Sequence, residues 1–205
     1  MQIQEYKDKF ETIFKEKPTH FAYAPGRINV IGDNASYNSG HSISFCIQYG
    51  IHILLRLNEE PNSVIYSEKI DDFARFDIAT LRKDHNIVSK RWSKIIQQTI
   101  KVYSRSAQVD MSNFHAYIFS QIPIGQGFSS LSALIIATYN LCQIVNNTNI
   151  SIKKAVQDCM RISSMLNAKH LSEIDFITIL NGAELTALHI NHKCWPVLLK
   201  GQYEH

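Results

Sequence analysis

The sequence predicts an α+β fold in which a mixed sheet packs against helices. Three observations lead there. "FAYAPGRINVI" and "HSISFCIQYGIHILLRL" are strand-like runs, while Trp92, Ile95, Ile96, Thr99, Ile100 and Tyr103 recur at helical spacing. The order in which strands and helices follow one another is that of an α+β chain.

The elements follow in order. Tyr6, Phe10, Ile13 and Phe14 mark an amphipathic N-terminal helix that ends before Pro18. Two strand-like runs, Phe21 to Ala24 and Ile28 to Ile31, flank Pro25-Gly26, a dipeptide that interrupts regular structure and delivers Arg27 at a bend. An arginine there is either an anion or sugar contact or an ordinary surface side chain on a turn. Strands then cross Gly50, and Ser63 to Thr80 alternates loosely, as an edge hairpin does. After the Trp92 helix, Phe114 to Ile122 is an alternating strand that feeds a Gly/Ser bend and the apolar helix "SALIIATYNLCQIV", closed by Asn146 to Asn149. A further helix from Ser151 turns Ala155, Val156, Cys159 and Ile162 inward. "IDFITIL" then leads as a strand to an Asn181-Gly182 turn and a last strand, "ELTALHIN".

Composition bounds the function. A chain of 205 residues that is 45% hydrophobic can bury a core, and a 19% charged fraction is too low for disorder. Its 21 basic residues against 18 acidic ones give +3, scattered along the chain, which does not support nucleic-acid binding. Cys46, Cys142, Cys159 and Cys194 stand too far apart for a zinc ribbon or redox motif and read as buried free thiols. The N-terminus lacks a secretory pattern and no apolar run reaches membrane length, so a cytoplasmic location and no membrane association are expected. The sequons at Asn34, Asn146 and Asn149 then carry no glycan. His41 and His115 sit singly, and His189 and His192 lack a third ligand at metal spacing, so no metal residue is assigned.

"PIGQGFSSLSAL" carries the chemistry. Gly125 and Gly127 let backbone N–H groups turn inward, Ser129, Ser130 and Ser132 add hydroxyls, and the following helix points its positive end at the bend. This is a phosphate cradle or, on the same residues, a serine-rich helix N-cap. It is neither a Walker loop nor a dinucleotide fingerprint, since both spacings are missing.

"APGRINVIGDNASYNSG" resembles the first motif of the galactokinase and N-acetylgalactosamine kinase branch of the GHMP small-molecule kinases, and "PIGQGFSSLSAL" is similar to their second. The two lie in the family's order with the Trp92 helix between them. The resemblance implies a GHMP-kinase N-terminal domain over 1–205, with the family's third motif and C-terminal domain absent. It implies ATP held by Ile124, Gly125, Gln126, Gly127, Phe128, Ser129, Ser130 and Ser132. It implies catalysis by Arg27 with Asp175 as base, or Ile174 in that place if the register shifts by one, and a solvated strand-end acid is the plain alternative for Asp175.

Sugar contacts fall on Arg27, Asp33, Asn34, Ser36 and Tyr37. Here Asp33 and Asn34 replace the family's Glu-His pair, and Ser36 replaces an aspartate. Magnesium is expected for the family, but its serine is Leu131 here and its glutamate is Ser163 or Ser164. The resemblance therefore implies an ATP-dependent sugar 1-kinase with reduced turnover. The alternatives are a non-catalytic nucleotide- or sugar-binding regulator, or a decayed gene product. The expected partners are a sugar, ATP and a protein covering the exposed half.

Overall fold

The computed structural model describes residues 3–32, 40–82, 90–123, 127–168, 171–183, 186–191 and 197–200. The chain begins with α1 (Ile3–Phe14), β1 (His20–Ile31), β2 (His41–Leu57), β3 (Ser63–Ser67) and β4 (Asp72–Phe76). It continues through α2 (Ile78–Arg82), α3 (Arg91–Ala107), β5 (Phe114–Ser120), α4 (Ser130–Val145) and α5 (Ile152–Met165). It closes with α6 (Glu173–Asn181), β6 (Thr186–Asn191) and β7 (Val197–Lys200).

β2 is the spine of the sheet. One of its edges pairs antiparallel with β1, from His20 opposite Leu55 to Ile31 opposite Ile43. Its other edge is divided between β5, along Ile51 to Leu57, and β6, along His41 to Phe45. β3 joins β5 in parallel and β4 joins β3 antiparallel, so the sheet runs β4-β3-β5-β2-β6-β7 with β1 on β2. This is the mixed sheet of the predicted α+β class.

The two faces carry unequal cores. On one, Ala22, Ala24, Ile51, Ile53, Leu55, Ala116 and Ile118 pack against buried side chains of α3, α4, α5 and α6. On the other, Tyr6 and Phe10 of α1 pack on Leu54, Tyr117 and Phe119. Burying apolar surface on both sides explains why β5 is buried along almost its whole length, where its sequence had been read as alternating. The predicted α1, edge hairpin, α3, α4 and α5 are all present, and no helix among the described residues is long and apolar enough to cross a membrane.

Two expectations change. Pro25-Gly26 does not break the chain, because β1 runs on through it as one strand with a register shift between Pro25 and Arg27. Proline is tolerated there because β1 pairs with β2 alone among the described strands, so the missing N–H faces no ladder partner. "IDFITIL" is helix α6, not a strand. Ile174 through Ile179 are all buried, so no polar face writes a helical period into the sequence. Asn181-Gly182 is accordingly the end of α6 and not a hairpin turn.

A Cβ at Gly182 would fall 2.1 Å from Cys46 Sγ, which locks the end of α6 onto β2. The thiol also contacts the Thr178 carbonyl at 3.3 Å, and burial pushes its pKa up to about 11. Less thiolate means slower alkylation. At pH 8 Cys46 should react with iodoacetamide about 100-fold more slowly than a thiol of ordinary pKa, as read from its own peptide by mass spectrometry. Labelling that keeps pace with the unfolded chain would contradict the α6 contact. Burial also raises the thiols of Cys142 and Cys159, and Cys194 lies outside the described residues.

Candidate active site

The bulge in β1 and the glycine bend before α4 meet. Arg27 N–H donates to the Phe128 carbonyl at 3.2 Å, and a Cβ at Gly26 would lie 2.8 Å from that same oxygen. Gly26 is therefore required by close approach. Gly127 is required for another reason, because its φ is +73° while the space around it is open.

Ser129 occupies the N-cap position of α4 with φ of 54°, yet its side chain makes no cap hydrogen bond. No acidic residue sits in the first turn, and Ser130 is exposed. A serine-rich cap would have used these hydroxyls on the helix's own N–H groups. Left uncapped, those N–H groups and the positive helix end remain available to an anion. Phe128 packs partly against the core.

Ser132 must be set apart from the cradle. It is 0% exposed and its Oγ has no hydrogen-bond partner among the described residues, unlike the exposed Ser130. One helical turn carries Ser129 and Ser132 to different surroundings. Ile124, Gly125 and Gln126 lie outside the described residues, as do the proposed sugar contacts Asp33, Asn34, Ser36 and Tyr37.

Asp175 lies on the first turn of α6, against Arg27. Its carboxylate is 1% exposed and accepts from Arg27 Nε at 2.7 Å and from Arg27 Nη2 on the same oxygen, Oδ1. Ser172 Oγ donates to Oδ1 at 3.2 Å and Ser172 N–H to Oδ2 at 3.0 Å. The S-x-x-D spacing of Ser172 and Asp175 is a helix-start pattern, and it fixes the carboxylate on the first turn of α6. Among the described residues Oδ1 accepts from three donors, whereas Oδ2 accepts from one and has a second lone pair without a partner. The alternative of a solvated strand-end acid fails, since Asp175 is buried, helical and ion-paired. Ile174 is 0% exposed in the core.

The magnesium positions do not fit that ion. Leu131 packs its side chain against the main core. Ser163 Oγ donates to the Ala168 carbonyl at 2.9 Å and Ser164 Oγ to the Met160 carbonyl at 3.0 Å, so neither supplies a carboxylate or an uncommitted hydroxyl. Among the described residues no group of three His, Cys, Asp or Glu side chains could hold a metal.

Sequence reasoning missed one site residue. Ser172 was not singled out there. The signal lay in its spacing, three residues before Asp175.

Comparison with known proteins places these observations in a class. The fold is that of GHMP small-molecule kinases: mevalonate kinase of Methanococcus jannaschii superposes with a TM-score of 0.73 at 17% identity, over 90% of this chain and 56% of that one. In sequence the chain is similar to galactokinases. Residues 8–57 match the galactokinase galactose-binding signature. The galactokinase of Actinobacillus succinogenes is 28% identical over 154 residues, 71% of this chain and 39% of that protein. That of Mannheimia succiniciproducens is 23% identical over 97% of this chain and 55% of its own length. Lactococcus lactis galactokinase, solved with galactose, superposes with a TM-score of 0.82 at 23% identity, over 97% of this chain and 51% of that one. The chain spans about half the length, or less, of these galactokinases.

Proposed function

We propose that this chain is the N-terminal, ligand-facing half of a galactokinase-like sugar 1-kinase, in which the γ-phosphoryl group of ATP passes to the anomeric hydroxyl of galactose or N-acetylgalactosamine. The observation that carries this reading is the Arg27–Asp175 ion pair beside the glycine bend, to which Arg27 is tied by its own backbone N–H. Phosphoryl transfer asks of a protein mainly positioning and charge neutralisation. The uncapped start of α4, with Gly127, Ser129 and Ser130, holds phosphate oxygens. The Arg27 guanidinium holds Asp175 in place and keeps positive charge beside the transferred group. Oδ2 of Asp175, with its free lone pair, accepts the proton of the sugar hydroxyl.

Turnover is reduced in this reading, because Leu131, Ser163 and Ser164 supply no magnesium ligand and no step is assigned to that ion. The same observation favours a second reading, a chain that binds nucleotide or sugar without transferring phosphate. A cytoplasmic location and a protein partner over the remaining half of the fold belong to the proposal as well.

Both readings are tested on the purified chain with ATP, magnesium and a sugar panel. Sugar-dependent ADP release that Asp175→Asn lowers by about 10²–10⁴-fold supports the kinase. No release, with a melting temperature that rises on adding ATP or galactose, supports the binding protein. A folded chain that neither turns over nor shifts with any ligand removes both.

A further inference from the structure

On the sheet face away from α6, two histidines that the sequence reading treated as separate come together. His41 Nδ1 and His189 Nε2 lie 2.7 Å apart, with their rings nearly parallel. Strand register causes this. His41 opens β2 opposite Asn191, and His189 stands two residues earlier on β6, so the pair is a diagonal cross-strand neighbour on one face. The flanking residue Ser44 points the other way, where its hydroxyl meets Thr178 of α6. The pair lies on the opposite face of β2 from the Ser44–Thr178 contact, and the proposed reaction does not use it.

We propose that His41 and His189 form a two-imidazole site for a borderline transition-metal cation, with zinc, nickel or copper as the class. Each ring directs a nitrogen into the same gap, where one now donates a proton and the other accepts it. A cation enters by replacing that proton, which moves to the far nitrogen of its own ring. Both imidazoles stay neutral, both become ligands through the facing nitrogens, and no net proton is released.

Metal–nitrogen bonds of about 2.0–2.1 Å at a tetrahedral angle need the nitrogens about 3.3 Å apart. Because the nitrogens now face each other along a hydrogen bond, both rings turn out of that line so that the two nitrogens converge on one cation. Water completes the coordination, since no third His, Cys, Asp or Glu joins the pair among the described residues. Imidazole nitrogen selects these ions over magnesium or calcium, which take oxygen. With both ligands on the strand ladder, the bound ion staples β2 to β6.

The test is calorimetric titration of the chain with zinc and nickel chloride, alongside melting curves with and without each ion. One ion should bind per chain and raise the melting temperature. His41→Ala and His189→Ala should each weaken binding at least about tenfold, while His20→Ala, a histidine away from the pair, binds as the parent does. His41→Gln repeats the test should His41→Ala not fold. A parent chain that binds neither ion overturns the site. So does binding that survives both alanine changes, or magnesium raising the melting temperature as much as zinc does.

Discussion

Arg27→Met is expected to cost about 3–5 kcal/mol of folding stability, because it strips the ion-pair partner from a buried carboxylate. Asp175 is 1% exposed and Arg27 14%, so water screens the pair poorly. Once Arg27 is gone, the donors left among the described residues are the Ser172 hydroxyl on Oδ1 and the Ser172 N–H on Oδ2. For a chain of this size the melting temperature should fall by roughly 10 °C. Arg27→Met combined with Asp175→Leu removes both charges together and should recover most of that loss, since the penalty is the orphaned charge and not the missing attraction. Thermal or urea unfolding of the two singles and the double completes the cycle. Arg27→Met melting within about one degree of the parent would mean that the pair is not closed in solution.

The same pair shows how far the sequence could be read. Arg27 and the glycine bend belong to two ordered motifs, and in the fold the Arg27 N–H meets the Phe128 carbonyl. Asp175 was assigned by resemblance alone. Its surroundings were misread because α6 is buried on all sides, and a short apolar run has the same appearance as a strand or a helix. The Ser172 spacing was the local clue that decides for helix. α1 and α3, each with one apolar and one polar face, were legible from period alone. The His41–His189 contact could not be, since 148 residues separate the partners and only the pairing of β6 with β2 joins them. Ser132, read as a cradle hydroxyl from its motif, is buried in the fold, which the motif alone does not reveal.

Phe10→Ala tests whether the two sheet faces are separate units. Phe10 is 0% exposed and sits at the centre of the smaller cluster, between Tyr6, Leu54, Tyr117 and Phe119. Truncating such a phenylalanine costs about 3–5 kcal/mol. The Tyr6–Phe119 ring stack, with centroids 3.4 Å apart, and the Phe14–His115 stack at 4.8 Å remain to hold α1. Stacked pairs of this kind contribute only about 0.5–1.5 kcal/mol each beyond their buried area, so they do not offset the loss. None of the four main-core helices leans on α1, because Ala22, Ile53 and Ala116 face them across the sheet. The damage should therefore surface as local release of α1. Amide exchange in residues 3–14 should accelerate strongly while α4 and α5 keep their protection, and the melting temperature should fall by less than the full cost implies. If α4 loses protection in step with α1, the sheet and both of its layers open as one cooperative unit, and the division into two independent clusters is wrong.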